Sequence, residues 1–375
     1  MKRTDFSVDW LFAACAPDTE LLPWNAQFTP VDLPHDWQIR HADDLYRDGT
    51  LFYRKYFFVT DVPGTRRMLW FGGAYMDTTV FVNGTEVGQW KYGYTSFWFD
   101  ITDALHEGQN EVLVRCNLRH PNSRWYSGAG LYRNVELWEA PDLHLMPDGL
   151  YVAAKEGDNG AWTVAVTAEA GSVTAASAGH TLTLHLTDDN GSLLGTAAIP
   201  ADAWAALPSP DGWRTGKETA IYKASHTFTL QDPALWDLDA PNFYHITAEL
   251  TSADGVTDTL TTRFGCRTIE ATPDCGLLVN HKRVLIKGVC IHHDFGCLGS
   301  AFEYSAAKRQ LEILKSMGVN SIRTGHTPPA PQFMDLADEM GILMDVESFD
   351  CWRSGKNPYD YGRFFDEWQE KDVAA

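Results

Sequence analysis

Residues 320–350 read NSIRTGHTPPAPQFMDLADEMGILMDVESFD, a stretch whose pattern runs strand, loop, helix, strand. Residues 320–323 are short and half apolar, and Thr324, Gly325, His326 and Thr327 break that pattern. Pro328, Pro329 and Pro331 stand where a helix begins, because proline is tolerated in the first turn. Phe333, Leu336, Ala337 and Met340 follow at helical spacing, and Gly341 ends the run. Ile342, Leu343 and Met344 then form a continuous apolar segment, as in a strand covered on both faces. Polar side chains cluster just past each strand: Arg323 and His326, then Glu347 and Asp350. The pattern predicts a βαβ unit with its chemistry at the carboxyl ends of parallel strands, where α/β folds bind ligands.

Upstream, residues 277–284 predict a small hairpin around Asn280 and His281, and residues 284–289 a buried strand. A helix is expected over 305–317, with Ser305 as N-cap, one face formed by Ala307, Leu311 and Leu314, and Gly318 as its stop. Downstream, residues 364–375 are amphipathic. Residues 266–375 thus hold about three strand–helix repeats, whereas a complete eight-fold barrel takes about 250 residues.

The earlier sequence is all-β. In residues 1–140 the first strand is expected at residues 6–13. Residues 68–82 alternate loosely before an Asn83-Gly84 turn, and two further alternating runs carry Phe97, Phe99 and Ile101, then Val112 and Val114. Turn signals recur about every 10 residues, as in a sandwich. Two loops are chemically rich: residues 46–50, and residues 122–130 with Arg124, Trp125 and Tyr126. In residues 141–265 alternation continues through Trp162, Val164 and Val166, then Leu182, Leu184 and Leu186. This second sandwich, of roughly the 100-residue immunoglobulin-like size, carries little chemistry and reads as a spacer.

The 375-residue chain has a net charge of −20 and 44% hydrophobic residues. The charge argues against nucleic acid or an anionic membrane as partner, since both require a basic face. The apolar content excludes disorder. The 14 Trp, 14 Tyr and 19 Phe would suit the apolar faces of sugar rings, although β-rich cores use aromatics as well. Seven cysteines without a CxxC pair predict reduced thiols and no zinc cluster. Asp5 and Asp9 interrupt what would otherwise be the apolar core of a signal peptide. No run reaches the about 20 apolar residues of a membrane span. A cytoplasmic location without a cofactor is expected.

Several segments in fixed order resemble glycoside hydrolase family 2, the family of β-galactosidases, β-glucuronidases and β-mannosidases: SRWYSGAGLYR at 123–133, LWDLDAPNFY at 235–244, RFGCRTIE at 263–270, VLIKGVCIHHD at 284–294, and the opening stretch itself. The resemblance implies a multidomain protein: a sugar-binding jelly-roll β-sandwich at 1–140, an immunoglobulin-like β-sandwich at 141–265, and an incomplete (β/α)8 TIM barrel at 266–375. It implies a retaining exo-β-glycoside hydrolase, foremost a β-galactosidase, with β-glucuronidase or β-mannosidase as alternatives. A non-catalytic carbohydrate-binding fragment is the reading of another class.

Retention requires two carboxyl groups about 5–5.5 Å apart. In the family the acid/base Glu follows an Asn after the fourth barrel strand, and the nucleophile lies several strands later. Neither has a counterpart here: the one Asn-Glu dipeptide, Asn110-Glu111, falls in the first β block. No catalytic carboxylate is therefore assigned, and the chain is expected to be a fragment inactive on its own. By the resemblance, His292 and His326 approach sugar hydroxyls, while His293 is structural and Arg323 supports the site through a carboxylate. Glu347 matches the Glu of an Asp-Glu pair, with Val346 where Asp is usual. Asp350 and Trp352 are expected at the pocket floor, and Asp48 and Arg124 on first-domain loops that reach across to the sugar. Several family members hold magnesium where Cys351 and Arg353 fall, and neither side chain suits that ion. The partner implied is a β-linked sugar. A homo-oligomer of a longer enzyme is left open.

Overall fold

The computed structural model describes residues 1–41, 43–60, 64–174, 179–207, 217–253 and 255–375. The first sandwich pairs a six-stranded antiparallel sheet with a four-stranded one. The first comprises Thr29–Val31, Trp10–Cys15, Gly49–Val59, Gly108–Leu118, Thr78–Val82 and Thr85–Trp90 in spatial order. The second comprises Lys2–Asp5, Val135–Pro141, Thr65–Phe71 and Phe97–Asp100. Alternate residues of both, among them Trp10, Leu51, Tyr53, Leu69, Phe71, Val80, Val112 and Val114, fill one core. The expected strand over 6–13 is corrected: residues 6–9 lie in no strand and connect Lys2–Asp5 in one sheet to Trp10–Cys15 in the other. Asp9 takes a left-handed φ of 57° that no strand continues through. The Trp10 indole N–H donates to the Phe6 carbonyl at 2.7 Å, closing the crossover.

The second sandwich packs His144–Glu156, Ala161–Ser172, Ala220–Gln231 and Ala205–Leu207 against Leu193–Pro200, Thr181–Asp188, Tyr244–Thr251 and Thr257–Phe264. Its core is formed by the predicted alternating runs, including Trp162, Val164, Val166, Leu182, Leu184 and Leu186.

The remaining chain builds a three-stranded parallel sheet in sequence order: β1 (Gly288–Ile291), α1 (Tyr304–Ser316), β2 (Ser321–Thr324), α2 (Pro331–Glu339), β3 (Leu343–Val346) and α3 (Phe365–Ala374). Pro331 opens α2 in its first turn. Gly341 ends it at φ 63°, and a Cβ there would meet the Leu238 carbonyl oxygen at 2.1 Å. Asn280 and His281, at φ 49° and 62°, make the predicted hairpin turn. Two expectations are corrected. The strand begins at Gly288, not Val284; Leu285 and Ile286 are 71% and 55% exposed, with no pairing neighbour among the described residues. Helix α1 starts at Tyr304 with Glu303 at the N-cap and no side-chain cap, so Ser305 lies inside the helix.

Helix α3 docks on the first sandwich. Phe365 and Tyr361 join that sandwich's core, and Trp368 meets Trp90 edge-on at 5.6 Å. Asp372 is buried in this contact, with Thr95 donating at 3.4 Å and the Tyr361 hydroxyl bonded to its other oxygen. Burial raises its pKa to about 7, against the hydrogen bonds from Tyr361 and Thr95 and the charge of Lys371, which lower it. Folding therefore favours the protonated acid. That contribution is complete below the unfolded value near 4 and is lost as pH rises towards about 7. Asp372→Asn should remove this slope and stabilise the chain at pH 7.5 by on the order of a few kcal/mol relative to its effect at pH 4. Urea melts of both proteins at the two pH values measure it, and an equal effect at both would refute it.

Candidate active site

Each parallel strand delivers polar side chains at its carboxyl end: His292 and His293 past β1, His326 past β2, Glu347 and Asp350 past β3. Register places Cys290, Arg323 and Asp345 side by side across the sheet. Arg323 Nε donates to Glu347 at 3.0 Å, and a second guanidinium nitrogen reaches the Cys290 sulfur at 3.3 Å. The other Glu347 oxygen lies 2.6 Å from His326 Nδ1. Burial by itself would raise the Glu347 pKa; the hydrogen bonds and charges of His326 and Arg323 outweigh it and hold the carboxyl below its usual range.

This arrangement fixes the histidine tautomers. An ionised carboxylate only accepts, so the 2.6 Å contact requires the proton on His326 Nδ1. Arg323, 3.1 Å from the same nitrogen, then gives its bond to Glu347. His292 Nδ1 faces the Gly325 carbonyl oxygen, which also only accepts. Among the described residues neither Nε2 has a hydrogen-bond partner. His293 is different. It is enclosed between Tyr94 and Tyr132, its Nε2 lies 2.9 Å from the Ser127 carbonyl, and burial lowers its pKa to about 4. It packs as a neutral ring.

The first sandwich supplies the opposite wall. Trp125 stacks on His292 with centroids 5.2 Å apart and planes 7° apart, and meets His326 edge-on at 5.5 Å. Arg124 donates to Asp350 at 2.5 Å, and Lys356 to the same oxygen at 2.8 Å. Burial would raise the Asp350 pKa; the bonds from Arg124, Lys356 and Cys351 lower it overall. Asp48 accepts from the His120 backbone at 2.7 Å and pairs with Arg119 at 3.3 Å. Together with Tyr46, Arg124 and Trp125 it lines an open groove of about 930 Å³.

The structure thus brings His292, His326, Arg323 and Glu347 into one cluster, sets the Arg124–Asp350 pair in the neighbouring wall, and puts Asp48 in the adjoining groove. Trp352 does not form a floor: it is 65% exposed and leans on Phe365 at 5.8 Å.

Two residues absent from the sequence-derived set hold this site together. Trp125 is one; its cost of exposure in residues 122–130 was the available signal. The other is Asp36. It accepts from the Gln38 and Ala129 amides, the Tyr126 hydroxyl at 2.6 Å, and both the amide and hydroxyl of Ser300. Gly128 and Gly299 press against it: a Cβ at either would come within 2.7 or 2.3 Å of its oxygen.

The side chains at the magnesium positions of the family do not fit that ion. Burial and the Asp360 bond push the Cys351 thiol up to about 12, so it remains protonated, and Arg353 pairs with Asp366 at 2.7 Å. No three His, Cys, Asp or Glu side chains among the described residues are arranged to hold a metal. No described helix is long and apolar enough to cross a membrane.

Three family models match in order: the sugar binding domain of glycosyl hydrolases family 2 over residues 23–141, the central family 2 model over 148–267, and the family 2 TIM barrel domain over 271–366. A β-galactosidase of Bacteroides ovatus is 35% identical over 99% of this chain, and a putative β-glucuronidase of Formosa agariphila is 32% identical over 99%. A family 2 member from Bacteroides cellulosilyticus superposes on the whole chain with a TM-score of 0.88 at 28% identity. A β-glycosidase from Bacteroides vulgatus does so at 0.85 and 29%. Jelly-roll, immunoglobulin-like sandwich and partial barrel together define the class, a multidomain glycosidase architecture. The chain belongs to glycosyl hydrolases family 2. It spans less than half the length of these relatives, 44% of the Bacteroides ovatus protein and 49% of the Bacteroides cellulosilyticus chain.

Proposed function

We propose that this chain forms the sugar-binding part of a retaining exo-β-glycosidase acting on O-glycosyl bonds, with β-galactosides as substrate. The observation that carries the reading is the pair of imidazoles whose Nδ1 atoms are committed to Glu347 and to the Gly325 carbonyl. Their unpartnered Nε2 atoms suit the hydroxyls of a neutral sugar, which both donate and accept. His292 and His326 bind those hydroxyls, Glu347 and Arg323 hold His326 in register, and Asp350 with Arg124 closes the side wall. Asp48 contacts the substrate from the first sandwich.

Neither nearby carboxylate can act as the acid. A glycosidase acid needs a raised pKa, and Glu347 and Asp350 are both lowered by cationic partners. Neither residue is therefore the acid/base, and by the family resemblance both catalytic carboxylates belong to polypeptide other than residues 1–375, so this chain alone binds without hydrolysing. The names of relatives make β-glucuronides the second substrate to test. The gene product is expected to hydrolyse nitrophenyl β-galactoside with retention, and purified residues 1–375 to leave it intact. No hydrolysis of any β-glycoside by the gene product would sink the function. Turnover by residues 1–375 would overturn the assignment of the chemistry elsewhere.

A further inference from the structure

We propose that Trp125 is a positioning residue. It fixes the ring planes of His292 and His326 and so makes the first sandwich part of the barrel's binding machinery. The inference rests on the reading of those histidines as sugar ligands. Each imidazole is tethered at one point only, His292 through Nδ1 to Gly325 and His326 through Nδ1 to Glu347. That bond fixes where Nδ1 sits, and the remaining tilt of each ring about it is left to the groups packed on its faces. The two rings meet edge-on at 5.9 Å, which couples them without locking either plane. Trp125 supplies the missing constraint to both at once, 7° from parallel to His292 and at 63° to His326. Both distances lie in the favourable range for aromatic pairs.

The indole is itself held. Its backbone carbonyl accepts from Ser123 at 2.6 Å, Arg124 before it is pinned to Asp350, and Tyr126 after it is pinned to Asp36. Loop, tryptophan and histidines therefore form one chain of contacts from the sandwich to the barrel.

The test has two arms. In residues 1–375, with no substrate present, the ring current of the stacked indole should move the His292 imidazole proton resonances upfield, a shift that Trp125→Leu abolishes and His292→Gln identifies by removing the resonances. His292 resonances that Trp125→Leu leaves in place overturn the stacking. In the gene product, Trp125→Phe should keep KM for nitrophenyl β-galactoside within about twofold, while Trp125→Leu, similar in bulk but not planar, raises KM about tenfold. Equal KM values for the Phe and Leu variants would overturn the positioning role. A gene product inactive on every β-glycoside, with the His292 ring-current shift intact, would refute the proposed function and leave the stacking standing.

Discussion

Asp36→Ala should destabilise the chain by about 3–5 kcal/mol, the range for removing one partner from a buried charged cluster. Asp36 is 2% exposed, and its two oxygens accept from five donors. Alanine would leave the Ser300 amide, the Ser300 hydroxyl and the Tyr126 hydroxyl buried without an acceptor. Water could not easily replace the carboxylate, because Gly128 and Gly299 are already in close contact with it. The lost bonds span the first sandwich and the barrel, so the loss should also loosen their docking. Equilibrium urea unfolding gives the energy, and protease susceptibility near Gly299 gives the docking. A loss below about 1 kcal/mol with unchanged proteolysis would contradict the structure, since that is the scale of a single exposed polar substitution.

Glu347→Gln should lower kcat/KM of the gene product on nitrophenyl β-galactoside by about 100-fold, the scale of misplacing a binding group by about 1 Å. Glutamine keeps the shape but offers one oxygen where the carboxylate serves both Arg323 and His326. Its amide would face a donor on one side, and the tautomer of His326 would no longer be dictated. The same network predicts an acid limit. Because the hydrogen bonds from His326 and Arg323 and the Arg323 charge lower the Glu347 pKa, the pairing persists through the ordinary carboxyl range and dissolves as pH falls through the lowered value. Wild-type affinity for galactose should therefore hold through the ordinary carboxyl range and fail only below it. Glu347→Gln should be weak throughout and show no such limit. Full activity in Glu347→Gln would remove Glu347 from the site.

Much of the fold was legible because its signals are local. Proline in the first turn of α2, the glycine that ends it, the Asn280-His281 turn and the alternating strands each act within a few residues. The polar residues at the carboxyl ends of the parallel strands were legible too, since His292, His326 and Glu347 each follow within a few residues of a predicted strand. The errors also have local causes. The apolar segment 284–287 reads as a buried strand, yet burial depends on a neighbour that periodicity does not reveal. Asp9, through one left-handed backbone angle, keeps residues 6–9 out of the strand that starts at Trp10. Trp352 looks like a pocket residue by its chemistry and its position after β3, but its ring turns to Phe365.

By itself the sequence determined the order of the three folding units, the family, and the strand ends where the polar side chains cluster. These follow from hydrophobic period, turn residues and motifs contiguous along the chain. The tertiary structure alone decided which side chains share a charge or a ring face. Arg124 meets Asp350 across 226 residues and Asp36 meets Ser300 across 264. Trp125 lies flat on His292. Such contacts join segments with no common periodicity, so their energy depends on positions that exist only once the sandwich and the barrel have docked.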